Sequence, residues 1–167
     1  GDVARLRADS QKVCQGHCDL FGGAPPFPNY WFQLHVVDDG YGGLEHRAST
    51  ALISPRSDLP TVGDAGVSEG YRDLLGLISH EYFHAWNVKR IKPAVFMTHP
   101  IAPGAYDTST ESYTRLLWLF EGFTSYFDDL MLRRVGLITD PDYLKVLGRR
   151  LTMLLRRCVT SWAIQER

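Results

Sequence analysis

The residues whose types and spacing could do chemistry form a His-Glu-x-x-His pattern that runs from His80 to His84. In an α-helix, residues i and i+4 lie one turn apart on one face, so both imidazoles can point at a single metal ion. Glu81 is rotated from His80 by about 100°, and it can reach a water molecule at that ion as a general base. The pattern therefore predicts a hydrolase with one Zn²⁺ per chain. The alternative is a pair of histidines on a solvated helix face.

A third ligand must come from another element, because a catalytic zinc ion usually has three protein ligands and one open position. Glu121 is the best candidate, since it lies in an otherwise apolar helical segment. A carboxylate in such a segment is costly to bury unless it is paired or binds a metal ion. His46 and His99 are the rivals. His46 follows a strand glutamate and His99 lies in a predicted loop, which favours surface or supporting positions for both.

Two more polar residues have the spacing of supporting groups. Asp128 lies two helical turns after Glu121, so both point to one side of the predicted helix. It can accept the outer N–H of a zinc-bound histidine and fix the tautomer of that ring. Asn87, three residues after His84, can act in the same way. The alternative is that Asp128 and Asn87 are plain surface residues.

Hydrolysis of this kind also needs a donor that stabilises the oxyanion. Tyr106 and Tyr113 are the local candidates. Tyr113 also fits the apolar stripe of its predicted helix, which favours a core position for it. A donor located beyond Arg167 is the other alternative.

The elements that must position these residues can be predicted from hydrophobic periodicity. Helical spacing of apolar residues is found in four segments: residues 2–21, 70–90, 112–135 and the segment after Asp140, which is the expected N-cap. Residues 30–37 and 43–53 are strand candidates and are expected to form an antiparallel pair. In the helix over residues 70–90, the two histidines fall opposite the apolar stripe, so the metal-binding face is expected to point away from the core. A helix, a small antiparallel sheet and a mainly helical half make an α+β fold.

Composition sets further bounds on the class of protein. The chain has 167 residues, 44% of them apolar and 22% charged, which is typical of one soluble globular domain. The net charge of -1 and the lack of a dominant basic stretch argue against a nucleic-acid partner. The cluster Arg149, Arg150, Arg156 and Arg157 is read as a solvated helix face. No apolar run is long enough to span a membrane. The oligomeric state is left open, and so is the choice between bacterial cytoplasm and periplasm.

Three stretches carry a resemblance that is more specific than the zinc pattern. Residues 80–93 resemble the zinc helix of the M61 family of glycyl aminopeptidases. Residues 113–126 resemble the third-ligand helix of that family, and residues 41–46 resemble its substrate-binding strand. These matches occur in the expected order and cover about residues 41–135.

The resemblance implies a thermolysin-like catalytic domain of the gluzincin type, with His80, His84 and Glu121 as zinc ligands and Glu81 as the base. It also implies aminopeptidase action on a peptide or protein substrate, with a preference for N-terminal glycine or alanine. Glu45 stands where related aminopeptidases hold the free amine of the substrate.

The segment around Glu45 has a second role in this reading. A strand beside the zinc helix offers backbone groups to an extended peptide, and Gly42 and Gly43 let that peptide approach closely. The alternative for this segment is a hairpin turn with an exposed glutamate.

Members of the family are much longer, with an N-terminal β domain and usually a PDZ domain. Residues 1–167 are therefore expected to be a single catalytic domain that is part of a longer protein. The alternatives are a metal-binding module without activity, a peptide-binding protein with structural zinc, and a zinc endopeptidase. The intact Glu81 argues against an inactive homologue, and three ligands with an open position argue against structural zinc.

Overall fold

The computed structural model describes residues 1–94 and 113–165, with side chains as far as Arg156. The elements follow in the order α1 (Val3–Leu20), β1 (Trp31–Val37), β2 (Gly42–Glu45), β3 (Ser49–Pro55), a 3₁₀ turn (Arg56–Asp58), α2 (Glu69–Phe83), α3 (Leu117–Arg134) and α4 (Asp140–Gln165). The predicted α+β class is confirmed, with helices on either side of a small sheet in the chain order. No helix in the described part of the chain is both long and apolar enough to cross a membrane.

The sheet is mixed, and the prediction of one antiparallel pair was wrong. The strand order is β1–β3–β2, with β1 parallel to β3 and β2 antiparallel to β3. The predicted strand over residues 43–53 contains two strands because residues 46–48 turn the chain back on itself. The turn is closed by His46 N, which donates to Ser49 O at 2.8 Å. Within the described residues, β2 therefore lies at an edge of the sheet.

Helix α2 begins where a capping residue predicts and ends earlier than expected. The Ser68 hydroxyl accepts a hydrogen bond from Tyr71 N at 3.1 Å, which satisfies a donor of the first turn. After Phe83 the chain tightens, and Ala85 N donates to Tyr82 O at 3.1 Å in an i to i−3 bond. Helix α2 therefore ends at Phe83, before the predicted end at residue 90.

The start of α4 also differs by one residue from the expectation. Thr139 is the capping residue in place of Asp140, because its Oγ1 accepts from Asp142 N at 3.3 Å. In return, Thr139 N donates to Asp142 Oδ2 at 3.1 Å. This reciprocal pair is a capping box.

The core is built around α2, which is buried on almost every side. Its apolar residues pack with β3 and with parts of α1 and α3 in one cluster: Val13, Leu52, Tyr71, Leu74, Leu75, Leu77, Ile78, Met131, Leu132 and Ile138. The alternative of two histidines on a solvated helix face was wrong, because His84 is buried. The metal-binding face contacts Glu121 of α3 and contributes no residue to this cluster, which agrees with the expectation that it points away from the core.

Candidate metal centre

Three side chains meet between α2 and α3: His80 of α2, His84 at the C-terminal cap of α2, and Glu121 of α3. His80 Nε2 lies 3.2 Å from Glu121 Oε2, and His84 Nε2 lies 3.7 Å from Glu121 Oε1. The ligand atoms of all three lie within 4.8 Å of one another. The helical repeat brings the two histidines together, and the packing of α3 on α2 brings the carboxylate. Two imidazoles and one carboxylate are a donor set that suits a catalytic zinc ion.

The outer nitrogens of both imidazoles have acceptors, which sets the direction of each ring. His80 Nδ1 lies 3.0 Å from Asp128 Oδ2, and His84 Nδ1 lies 2.8 Å from the main-chain oxygen of Asn87. A carboxylate and a carbonyl only accept, so each Nδ1 carries the proton and each Nε2 is left for the shared point. The Asn87 side chain contributes by donating to Phe120 O on α3 at 3.2 Å. The surface alternative for Asp128 and Asn87 was wrong, because both side chains are buried.

Glu81 lies beside this cluster with its carboxylate largely out of solvent. Its Oε2 is buried and has no hydrogen-bond partner among the described residues. Burial raises the pKa of Glu81 to about 7. The Glu81 carboxylate lies against Gly43, where an added Cβ would collide with it. A buried carboxylate with an unpartnered oxygen, next to a set of ligand atoms, fits a general base beside a metal ion.

Glu45 also lies at the cluster, and it has a partner that the sequence did not indicate. Oxygen and nitrogen atoms of Glu45, Glu81 and His84 lie within 4.8 Å of one another. Lys89 Nζ contacts Glu45 Oε1 at 2.9 Å. Partial burial opposes ionisation of Glu45, but the hydrogen bond from Lys89 holds its pKa below the usual value. The alternative of an exposed glutamate in a hairpin turn was wrong, since Glu45 lies in strand β2 and its side chain is only 24% exposed.

A cleft of about 310 Å³ lies along α2 and the edge strand β2, and it reaches the site. Its walls include the two glycines of β2 and the polar groups around the metal centre: Gly42, Gly43, His80, Glu81, Asp128 and Arg150. The absence of side chains on the β2 wall leaves backbone groups accessible beside Glu81.

The remaining candidates are not among the grouped ligand atoms or lie outside the described residues. His46 is exposed, and its Nδ1 lies 3.1 Å from Leu44 O. Tyr113 is 79% exposed, so a core position for it was wrong, and it is not among the residues that line the cleft. His99 and Tyr106 lie outside the described residues.

Comparison with known proteins shows the family to which this chain belongs. A family model described as M61 glycyl aminopeptidase matches residues 73–166, which is more than half of the chain and includes the whole metal cluster. The chain belongs to the M61 glycyl aminopeptidase family. A solved structure also supports a peptidase. This M61 chain is similar to the crystal structure of an aminopeptidase N family protein from Idiomarina loihiensis, with a TM-score of 0.80 and 44% sequence identity.

That match covers 89% of this M61 chain and 24% of the Idiomarina chain. The M61 chain therefore spans about a quarter of the length of that structure. An N-terminal β domain and a PDZ domain stay predictions for the longer protein. No curated protein matches the chain.

Two cations at the centre of this M61 chain were missed in the sequence. One is Lys89, which pairs with Glu45. The other is Arg150 on α4, whose Nη2 lies 3.1 Å from Asp128 Oδ1. The reading of Arg150 as part of a solvated face was wrong. The only signal that could have indicated it was the adjacent pair Asp128 and Asp129 in an apolar helix, which needs a counterion once buried.

Proposed function

We propose that this M61 chain carries the catalytic centre of a zinc-dependent aminopeptidase with a thermolysin-like, gluzincin arrangement. The observation that carries the proposal is the convergence of His80, His84 and Glu121, with the carboxylate of Glu81 beside them. Zn²⁺ held by the first three side chains supplies Lewis-acid polarisation of the scissile carbonyl and acidifies water at the site.

Glu81 is the proton carrier in this proposal. It takes a proton from the attacking water, so that the O–H bond breaks as the new C–O bond forms. It then delivers that proton to the nitrogen of the leaving amine as the C–N bond breaks. A carboxyl group whose pKa lies near 7 suits both transfers, because it gains and loses a proton easily near neutral pH.

The aminopeptidase reading is supported by the groups around the cleft. Strand β2 offers an edge to which an extended peptide can pair, and Gly42 and Gly43 leave room for its backbone. Glu45 places a carboxylate near Glu81 and His84, where it can accept hydrogen bonds from the ammonium group of a substrate. We expect a preference for N-terminal glycine or alanine, and this expectation rests on family membership alone.

A zinc endopeptidase is the second candidate, and one contact favours it. Glu45 already has a cationic partner in Lys89, so the free amine of a substrate must share or replace that contact. An enzyme that does not need a free amine has no such competition.

Hydrolysis of glycyl and alanyl anilides, alongside their N-acetylated forms, tests the proposal. The protein is compared with Glu81→Gln and with the control Glu69→Gln, which changes an exposed residue at the other end of α2. Zinc content is measured in the same samples. We expect activity on free-amine substrates that Glu81→Gln abolishes while zinc is retained. Equal rates on acetylated substrates would favour the endopeptidase, and full activity in Glu81→Gln would refute the role of Glu81.

A further inference from the structure

A pair of adjacent acids at α3 is neutralised by one cation from α4. Asp128 and Asp129 are both buried. Arg150 Nη2 lies 3.1 and 3.3 Å from the two carboxylate oxygens of Asp128 and 2.6 Å from Asp129 Oδ2. Its Nη1 donates to Ser125 O at 2.8 Å, which anchors the guanidinium on α3. Planar guanidinium groups suit this kind of multiple contact better than lysine does.

The same Asp128 carboxylate is the acceptor for His80. Oδ2 lies 3.0 Å from His80 Nδ1, and Oδ1 accepts from Asp129 N at 2.5 Å. A chain of contacts thus runs from α4 through Asp128 to the Nε2 atom of His80 that faces Glu121. Arg72 also acts electrostatically on Asp129, but its Nη2 pairs with Glu69 and Asp73.

We infer that Arg150 is a positioning residue. It holds the Asp128 carboxylate in the orientation that directs His80 Nε2 toward Glu121 and the proposed metal site. The inference rests on the proposed metal centre. Without the guanidinium, the Asp128 carboxylate keeps one main-chain donor, Asp129 N, and the His80 imidazole, beside a second buried acid. Asp128 is then free to rotate away from His80. The direction of the His80 ring is lost with it.

The expected size of the effect follows from the number of contacts that separate Arg150 from the proposed ligand His80. Loss of a group that hydrogen-bonds a metal ligand weakens metal binding about 10–100-fold. Arg150 acts through one further contact, so Arg150→Met should weaken Zn²⁺ binding about tenfold, near the lower end of that range.

Arg149→Met is the matched control. Arg149 precedes Arg150 on α4 and pairs with Glu69, away from Asp128. Zn²⁺ dissociation constants are measured by competition with a chelator, and thermal unfolding checks that each variant is folded. We expect Arg149→Met to bind Zn²⁺ as the parent does. Equal binding in both variants would overturn the inference.

A double-mutant cycle separates positioning from a general structural role. If Arg150 acts through Asp128, then Arg150→Met adds no further loss of Zn²⁺ affinity in an Asp128→Asn background. Additive losses would show that Arg150 acts by another route, and would overturn the inference. If Arg150→Met does not fold, Arg150→Lys takes its place in the cycle, with a smaller loss expected because the charge is kept.

A metal-free readout distinguishes failure of this inference from failure of the proposed function. In the zinc-free protein, NMR should show a slowly exchanging His80 Nδ1 proton in the parent and in Arg149→Met. It should be absent from Arg150→Met and from Asp128→Asn. If the parent binds no Zn²⁺, the proposed function fails, while this resonance still decides whether Arg150 positions His80. A resonance unchanged in Arg150→Met would overturn the inference.

Discussion

Gly43 leaves the room that the Glu81 side chain occupies, so Gly43→Ala should impair catalysis without changing the metal ligands. A Cβ placed at Gly43 lies 2.6 Å from Glu81 Cγ, whereas ordinary contacts begin near 3.4 Å. Gly42→Ala is a matched control on the same strand, because no atom lies within 4 Å of its added Cβ. Neither glycine has a backbone angle that excludes alanine.

The magnitude follows from the displacement. Restoring an ordinary contact requires Glu81 to shift by about 1 Å, and a displacement of about 1 Å at a catalytic group can cost on the order of 100-fold in rate. We therefore expect kcat of Gly43→Ala to fall about 100-fold. Zinc content should not change, since Glu81 is not among the proposed ligands.

Steady-state hydrolysis of a glycyl anilide measures this effect, with the zinc content of each sample determined in parallel. Gly42→Ala should retain the parent kcat, because its added Cβ meets no atom of Glu81. An effect of that methyl group on the approach of the substrate backbone should appear in KM alone. The reasoning would be refuted by a Gly43→Ala protein that turns over as fast as Gly42→Ala. Loss of zinc from Gly43→Ala would also contradict it, because the alanine would then act on the ligands.

Three other perturbations have defined outcomes. Burial lowers the pKa of His17 from 6.5 to about 3. Below pH 6.5 this histidine is therefore protonated in the unfolded chain but not in the folded protein, so the unfolding free energy decreases as the pH decreases. The loss between pH 7 and pH 5 should be about 2 kcal/mol in urea unfolding, and His17→Gln should remove it. Lys89→Gln frees Glu45 for the substrate amine and should lower KM about fivefold for free-amine substrates, with no change for N-acetylated ones in the same assay. An unchanged KM ratio would exclude competition at Glu45. Asn87→Ala removes the amide that donates to Phe120 O and Thr124 Oγ1. It should lower the unfolding free energy by about 1–3 kcal/mol, and unfolding equal to that of the parent would contradict this.

Local arrangements in this protein could be predicted from the sequence. His80 and His84 are one helical turn apart, and the same periodicity places Glu121 and Asp128 on one side of α3. Because a polar residue in an apolar helix needs a partner, a link between α2 and α3 through these residues could be expected. Periodicity carries this information because it reports which face of an element each residue occupies.

Features that depend on contacts between distant segments could not be predicted in this way. The parallel pairing of β1 with β3 depends on the turn at residues 46–48, which interrupts an otherwise strand-like run. Helix α2 ends at Phe83 because the chain then forms i to i−3 hydrogen bonds, and no residue type in that segment predicts this change. Lys89 and Arg150 were missed because an ion pair formed across the fold leaves no periodic signal. Helical spacing indicated a solvated arginine face, and tertiary packing buried part of it.

The most direct test of the metal centre is the zinc content per chain after gel filtration of the parent and of Glu121→Gln. The parent should retain one Zn²⁺ per chain. Glu121→Gln should lose most of it, since a neutral amide replaces the only charged ligand. The exposed Glu69→Gln serves as control and should keep its zinc. Equal zinc in the parent and in Glu121→Gln, or no zinc in the parent, would contradict the assignment of His80, His84 and Glu121 as the ligand set.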